Sequence, residues 1–143
     1  MKKIRIGNDV AVIWTLVNKE DQTPFPVMTD AQVFLTNGYT KIPMDYTVTG
    51  GNVISLSFLG KDQKLVGEYD LLYVENEGED NMISFDTKRA FELVPHSWHE
   101  TGDDTEGVVT YTVEVTSEVA TGSFIRDFDE IIIDCGTATR VID

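Results

Sequence analysis

Cysteine is nearly missing from this chain: Cys135 is the only one in 143 residues, so no disulfide can form within it. A domain of this length can bury a proper core without such a staple, which is compatible with a reducing compartment. Long apolar runs are missing too, and none approaches the roughly 20 residues of a membrane helix. The N-terminal Met1-Lys2-Lys3-Ile4-Arg5-Ile6-Gly7-Asn8-Asp9 is broken by charge before the apolar core of a signal peptide can form. No secretory or membrane-spanning segment is therefore expected. Cations are scarce, with 11 Lys and Arg against 25 Asp and Glu and a net charge of -14. So few cations argue against a nucleic-acid backbone, whose binding displaces counterions, and against docking on an anionic bilayer. The sequence also holds no G-x-x-x-x-G-K-[ST], no G-x-G-x-x-G and no G-x-S-x-G, so nucleotide cradling and serine-esterase chemistry have no signature.

Alternation with period two is abundant, and helical periodicity is hard to find. Val10, Val12, Trp14 and Leu16 share one face of a predicted strand whose other face, Ala11, Ile13, Thr15 and Val17, is also largely apolar. Such a strand is covered on both sides or central to a sheet. Lys19 to Pro26 reads as a turn, because its two prolines exclude helix and inner strand. Asp30 to Thr36 resumes as a strand with Ala31, Val33 and Leu35 inward, and Asn37-Gly38 is a strong hairpin signal. Tyr39 to Thr49, which contains Pro43, reads as one edge strand, followed by a tight turn at Gly50-Gly51-Asn52. Val53 to Phe58 is a clean alternation with Ile54, Leu56 and Phe58 inward, and Gly60 to Lys64 is a loop or a short helical turn. Gly67 to Val74 is a strand and Glu75 to Asn81 an exposed hairpin tip. Met82 to Phe85 and Ala90 to Val94 follow as strands. Seven or eight short strands between Gly, Asn and Pro turns predict an all-β, antiparallel β-sandwich over residues 1–95.

Beyond Pro95 the composition shifts. Residues 1–95 hold 14 acids and 9 bases, whereas residues 96–143 hold 11 acids and 2 bases. Residues 96–107 read as an acidic linker and residues 108–143 as a C-terminal strand extension, a connector or oligomerisation segment. In that extension Val109, Tyr111, Val113 and Val115 alternate with polar residues, and Ile131-Ile132-Ile133 needs cover or a partner strand. Trp98, between His96 and His99, is the aromatic most expected at an interface. Trp14, Phe34, Phe58, Tyr69, Tyr73, Phe85 and Phe91 fall mostly on inward faces and serve the core, while Tyr39 and Tyr46 fall at edge positions.

Sites for chemistry are poorly supported. His96, His99 and Cys135 lack the spacing of a zinc site and read as two exposed linker histidines and a separate thiol. The acidic runs Glu75/Glu77/Glu79/Asp80, Asp103/Asp104/Glu106 and Asp127/Asp129/Glu130 lack calcium-loop spacing and read as solvated surface. With 25 acids, some pair would satisfy any loose criterion for glycoside cleavage, so such a pair carries no weight. The expectation is a protein that is not an enzyme, with no catalytic residue, no metal and no cofactor.

One resemblance is visible. Ile4-Arg5-Ile6-Gly7-Asn8-Asp9 leading into Val12-Ile13-Trp14-Thr15-Leu16, then Gly67-x-Tyr69-x-Leu71 and Asp86-x4-Phe91-x-Leu93-Val94, resemble the immunoglobulin-like N-terminal domain of Bacteroidales phage and prophage tail proteins, in baseplate or tail fibre. Thr105 to Val109 and Glu114 to Gly122 are similar to the connector that follows this domain in tail-fibre proteins. The resemblance implies a structural virion component assembled in bacterial cytoplasm. Its partners would be other tail proteins or further copies of itself. The residues themselves suggest the mode, Val109–Val115 (with Tyr111 and Val113) or Ile131–Ile133 pairing with an edge strand of a neighbour, and Trp98 is a further expected interface residue. The rival reading is a cell-surface carbohydrate-binding or adhesion module with an exposed aromatic platform; the second rival is a hydrolase working with paired carboxylates.

Overall fold

The computed structural model describes residues 1–38, 40–96 and 110–120. Nine strands occur among them: β1 (Lys2–Arg5), β2 (Asp9–Asn18), β3 (Gln32–Asn37), β4 (Thr40–Met44), β5 (Thr47–Thr49), β6 (Val53–Phe58), β7 (Gly67–Glu75), β8 (Ile83–Val94) and β9 (Thr110–Val119). The one helical segment among the described residues is a 3₁₀ turn at Gly60–Asp62, and no helix there is long and apolar enough to cross a membrane. The strands form two mixed sheets, β1-β8-β7-β3-β4 and β5-β6-β2-β9, in which β1–β8 and β2–β9 are the parallel pairs. The described residues thus form an all-β sandwich, mixed where a purely antiparallel one was expected, because β1 and β9 join partners far away in sequence rather than across hairpins.

The core forms where the inward faces meet. Val10, Val12, Trp14 and Leu16 are sealed from solvent, as alternation from β2 requires, and Ile54, Leu56 and Phe58 from β6 pack beside them. Facing them are Val33, Leu35, Tyr69, Leu71, Tyr73, Phe91 and Leu93 from the other sheet. Trp14 meets Tyr73 edge-on at 6.5 Å and Phe85 at 6.0 Å, and Tyr69 stacks on Phe91 at 5.2 Å. Burying an indole of this size is worth roughly 4–6 kcal/mol of hydrophobic stabilisation at most. Phe25, in the loop before β3, is equally buried and edges onto Tyr73 and Phe85.

A polar clamp closes one end. Gln63 accepts from the Gly7 amide at 2.7 Å and donates to the carbonyls of Asn8 (2.7 Å) and Phe58 (3.2 Å). The Gly60 amide donates to Asp9 Oδ1 at 2.8 Å. A Cβ at Gly60 would stand 2.0 Å from the Gly7 carbonyl oxygen, so only glycine allows this approach.

Several expectations change. Tyr39 to Thr49 is not one edge strand. The chain crosses between sheets at Asp45 and Tyr46, so β4 and β5 are edges of different sheets. Met82 to Phe85 and Ala90 to Val94 belong to the single strand β8, because a bulge absorbs the irregularity between them. The register jumps from Tyr69↔Phe91 to Leu71↔Thr87, Arg89 takes a φ of 58°, and its amide bonds Asp70 Oδ1 at 2.7 Å. The hairpin tip is exposed only from Glu77 to Asn81. Glu75 is fully buried, with its carboxylate accepting the Tyr73 hydroxyl, and Asn76 is nearly so. Phe34 is covered, yet it lies on the outer face, opposite to Val33 and Leu35, with the Lys41 ammonium 4.3 Å above its ring.

The sandwich does not end at residue 95. β9 lies parallel beside β2 in unbroken register from Asp9↔Thr110 to Asn18↔Val119. The strand read as part of a separate extension is therefore the fourth strand of the second sheet. Strand pairing is long-range, and no local pattern could specify it.

Candidate assembly edge

β9 reads Thr-Tyr-Thr-Val-Glu-Val-Thr-Ser-Glu-Val, a Thr- and Val-rich stretch without glycine or proline that suits a pleated, half-buried surface. Its odd-numbered side chains turn inward. Tyr111 and Val113 are buried in the chain's own core, and Val115 packs partly buried against it. Strand pairing with a neighbour was expected at these three; their side chains are taken up by the chain's own sandwich, because β9 has β2 beside it and the other sheet beneath it. Trp98, Val109, Ile131, Ile132 and Ile133 lie outside the described residues, as do Tyr39, His99 and Cys135.

Polar contacts fix β9 in place. The Trp14 indole N–H donates to Ser117 Oγ at 2.7 Å, and Ser117 Oγ also hydrogen-bonds Thr87 Oγ1 of β8. This relay joins the two sheets and satisfies an indole that would otherwise be buried without a partner. At the far end Gln22 Nε2 donates to Glu118 Oε2 at 2.5 Å. On the flank Lys2 reaches the Thr112 carbonyl at 3.4 Å and lies 5.6 Å from the centre of the Tyr111 ring.

The backbone of β9 has two sides. The Lys19 amide donates to the Val119 carbonyl at 2.9 Å, so Val119 faces β2. In a parallel ladder alternate residues of an edge strand turn both backbone groups inward and the rest turn both outward. Tyr111, Val113, Val115, Ser117 and Val119 therefore bond β2. Thr110, Thr112, Glu114, Thr116 and Glu118 present N–H and C=O away from it, in keeping with the approach of Lys2 to the Thr112 carbonyl. No strand among the described residues lies beyond this side.

The other three edges are blunted. β1 has four residues and carries Lys2 and Lys3, β4 has five with Lys41 and Pro43, and β5 has three. Short length, lysine and proline are the usual protections of a sheet edge. β9 has ten residues and none of these protections.

Elsewhere, a shallow cleft of about 370 Å³ is lined by Phe34, Lys41, Pro43, Tyr46 and Glu77, with Lys41 and Glu77 paired at 3.7 Å. Tyr46, read at an edge position, is half-buried, and its hydroxyl donates to the Ala31 carbonyl at 2.5 Å. Burial raises its pKa above the ordinary tyrosine value, and the charges of Asp30 and Glu75 add to the effect. Burial also raises the pKa of Tyr69. Among the described residues no three His, Cys, Asp or Glu side chains are placed to hold a metal ion. Comparison of the chain with protein-family models, curated proteins and solved structures found no match.

Proposed function

We propose that this chain is a non-enzymatic structural component of a phage or prophage tail, an immunoglobulin-like attachment domain of baseplate or fibre that assembles through strand-mediated contacts with its neighbours. The tail assignment is supported by the sequence resemblance at Ile4 to Leu16, Gly67 to Leu71 and Asp86 to Val94. The assembly mode is supported by one structural observation, the ten-residue β9 whose outer side faces no other strand among the described residues. An edge strand offers a row of backbone donors and acceptors to another chain, which is how strand addition gains its affinity. Virion location, and tail proteins or copies of the chain itself as partners, follow from the same reading. Mass spectrometry of purified particles from the source bacterium tests it. The chain is expected in stoichiometric amount with tail proteins, and particles that carry a full tail without it overturn the proposal.

A further inference from the structure

We infer that the occupant of the β9 edge is β9 of a second copy, paired antiparallel about a two-fold axis at Val115, so that two four-stranded sheets become one continuous sheet. This deepens the assembly reading and rests on it for the use of this edge. The choice of a second copy comes from the strand's own sequence. In this register Val115 faces its symmetry mate, Glu114 faces Thr116 of the other copy, and Thr112 faces Glu118. On the inner face Tyr111 meets Val119 and Val113 meets Ser117. Every outward-turned backbone group from Thr112 to Glu118 then has a partner, because in an antiparallel pair the residues that turn their N–H and C=O toward each other must stand opposite. No glutamate faces a glutamate. Moving the axis one residue to Glu114 sets that side chain against its own copy, and like charges directly opposite are destabilising. The pattern is self-complementary, as an isologous interface requires.

Two features set the strength. Each copy carries a net charge of -14, so long-range repulsion opposes pairing and salt relieves it. The Lys2 ammonium at 3.4 Å from the Thr112 carbonyl is exposed and moves aside. A weak dimer that tightens as salt rises is the expected behaviour.

The inward-turned residues of β9 form non-hydrogen-bonded pairs across the axis, where Cα atoms come within about 4.5 Å, inside the range a disulfide spans. The test uses the full-length chain with Cys135→Ser as background. Val115→Cys is expected to give a covalent dimer under mild oxidation, whereas Val113→Cys, which faces Ser117, stays largely without a cross-link. Mixing Val113→Cys with Ser117→Cys is expected to restore cross-linking. Sedimentation of the unmodified chain should show dimers, with a dissociation constant falling several-fold between low and high salt. Thr116→Pro, which removes an outward N–H and leaves the ladder to β2 intact, should weaken the dimer at least tenfold with an unchanged circular dichroism spectrum. A chain that stays monomeric at high concentration and high salt, with no preference for Val115→Cys, overturns the inference. So does a dimer that Val115→Cys fails to lock. Detection of the chain in tail particles despite either result would leave the tail assignment standing and remove only the self-pairing.

Discussion

β2 and β9 run side by side, in the same direction and over ten residues each, yet they are built for different surroundings. β2 is apolar on both faces and bonded on both sides: the even-numbered Leu16 amide donates to the Asn52 carbonyl, while its odd-numbered residues bond β9. β9 is apolar on one face only, with Thr and Glu on the other, and among the described residues is paired with a strand on one side only. A central strand has no spare hydrogen-bonding capacity, whereas an edge strand keeps half of it. Mutations therefore have different meanings in the two: on β2 they report on folding, and on the outer side of β9 they test the proposed association.

The sharpest way to break this contrast is proline. Val12→Pro removes a ladder bond to β6 from the centre of the sheet and should cost about 3 kcal/mol or more, enough to unfold a marginal domain. Thr116→Pro on the outer side of β9 should cost far less, and urea melts of the two variants compare them directly. Next in size, Trp14→Ala empties the largest buried side chain and should cost about 3–5 kcal/mol in the same assay. Ser117→Ala tests the join between the two strands. It leaves the buried Trp14 indole N–H without its acceptor, at about 1–3 kcal/mol, with a change in tryptophan fluorescence.

Alkaline pH extends the centre-and-edge comparison to the other sheet. Tyr69, on the interior strand β7, and Tyr46, between the edge strands β4 and β5, both have pKa values raised in the folded state. Above pH 10 the unfolded chain loses these protons first, so the folded state binds more protons and stability falls as pH rises. Stability from this source is fully present below pH 10 and is lost through the folded pKa values. Tyr46→Phe should flatten the alkaline limb of a pH-dependent melting curve. If the curve is unaltered, the raised pKa of Tyr46 makes no contribution to alkaline unfolding. The smallest effect is expected at Glu114→Gln, within about 0.5 kcal/mol in monomer stability, because the side chain is exposed.

Much of the sandwich was legible locally. The alternation from Val10 to Leu16 and from Ile54 to Phe58 named core residues correctly, and Gly50-Gly51 announced a turn in which both glycines take positive φ. Less was legible where a local signal has two outcomes. Pro43 marks an edge but not the crossing between sheets that splits Tyr39 to Thr49, and the acidic run after Val74 hides a buried Glu75 whose partner is Tyr73. The candidate site was half visible: the alternation of Tyr111, Val113 and Val115 marked a strand suited to pairing, while its place beside β2, which takes up those inward side chains, was not legible. The contact proposed here is made by the backbone of the residues between them.

What the sequence by itself determined is the period, the polarity and the excluded chemistry. A side-chain period of two fixes which residues share a face, and a shortage of cations is a property of composition alone. What only the tertiary structure decided is adjacency. Whether β9 stands alone, beside β2 or at an edge depends on a partner just over a hundred residues away, as the Val10↔Tyr111 pairing shows. The same alternating pattern is compatible with each of those positions, because alternation defines the two faces of a strand and says nothing about its two sides.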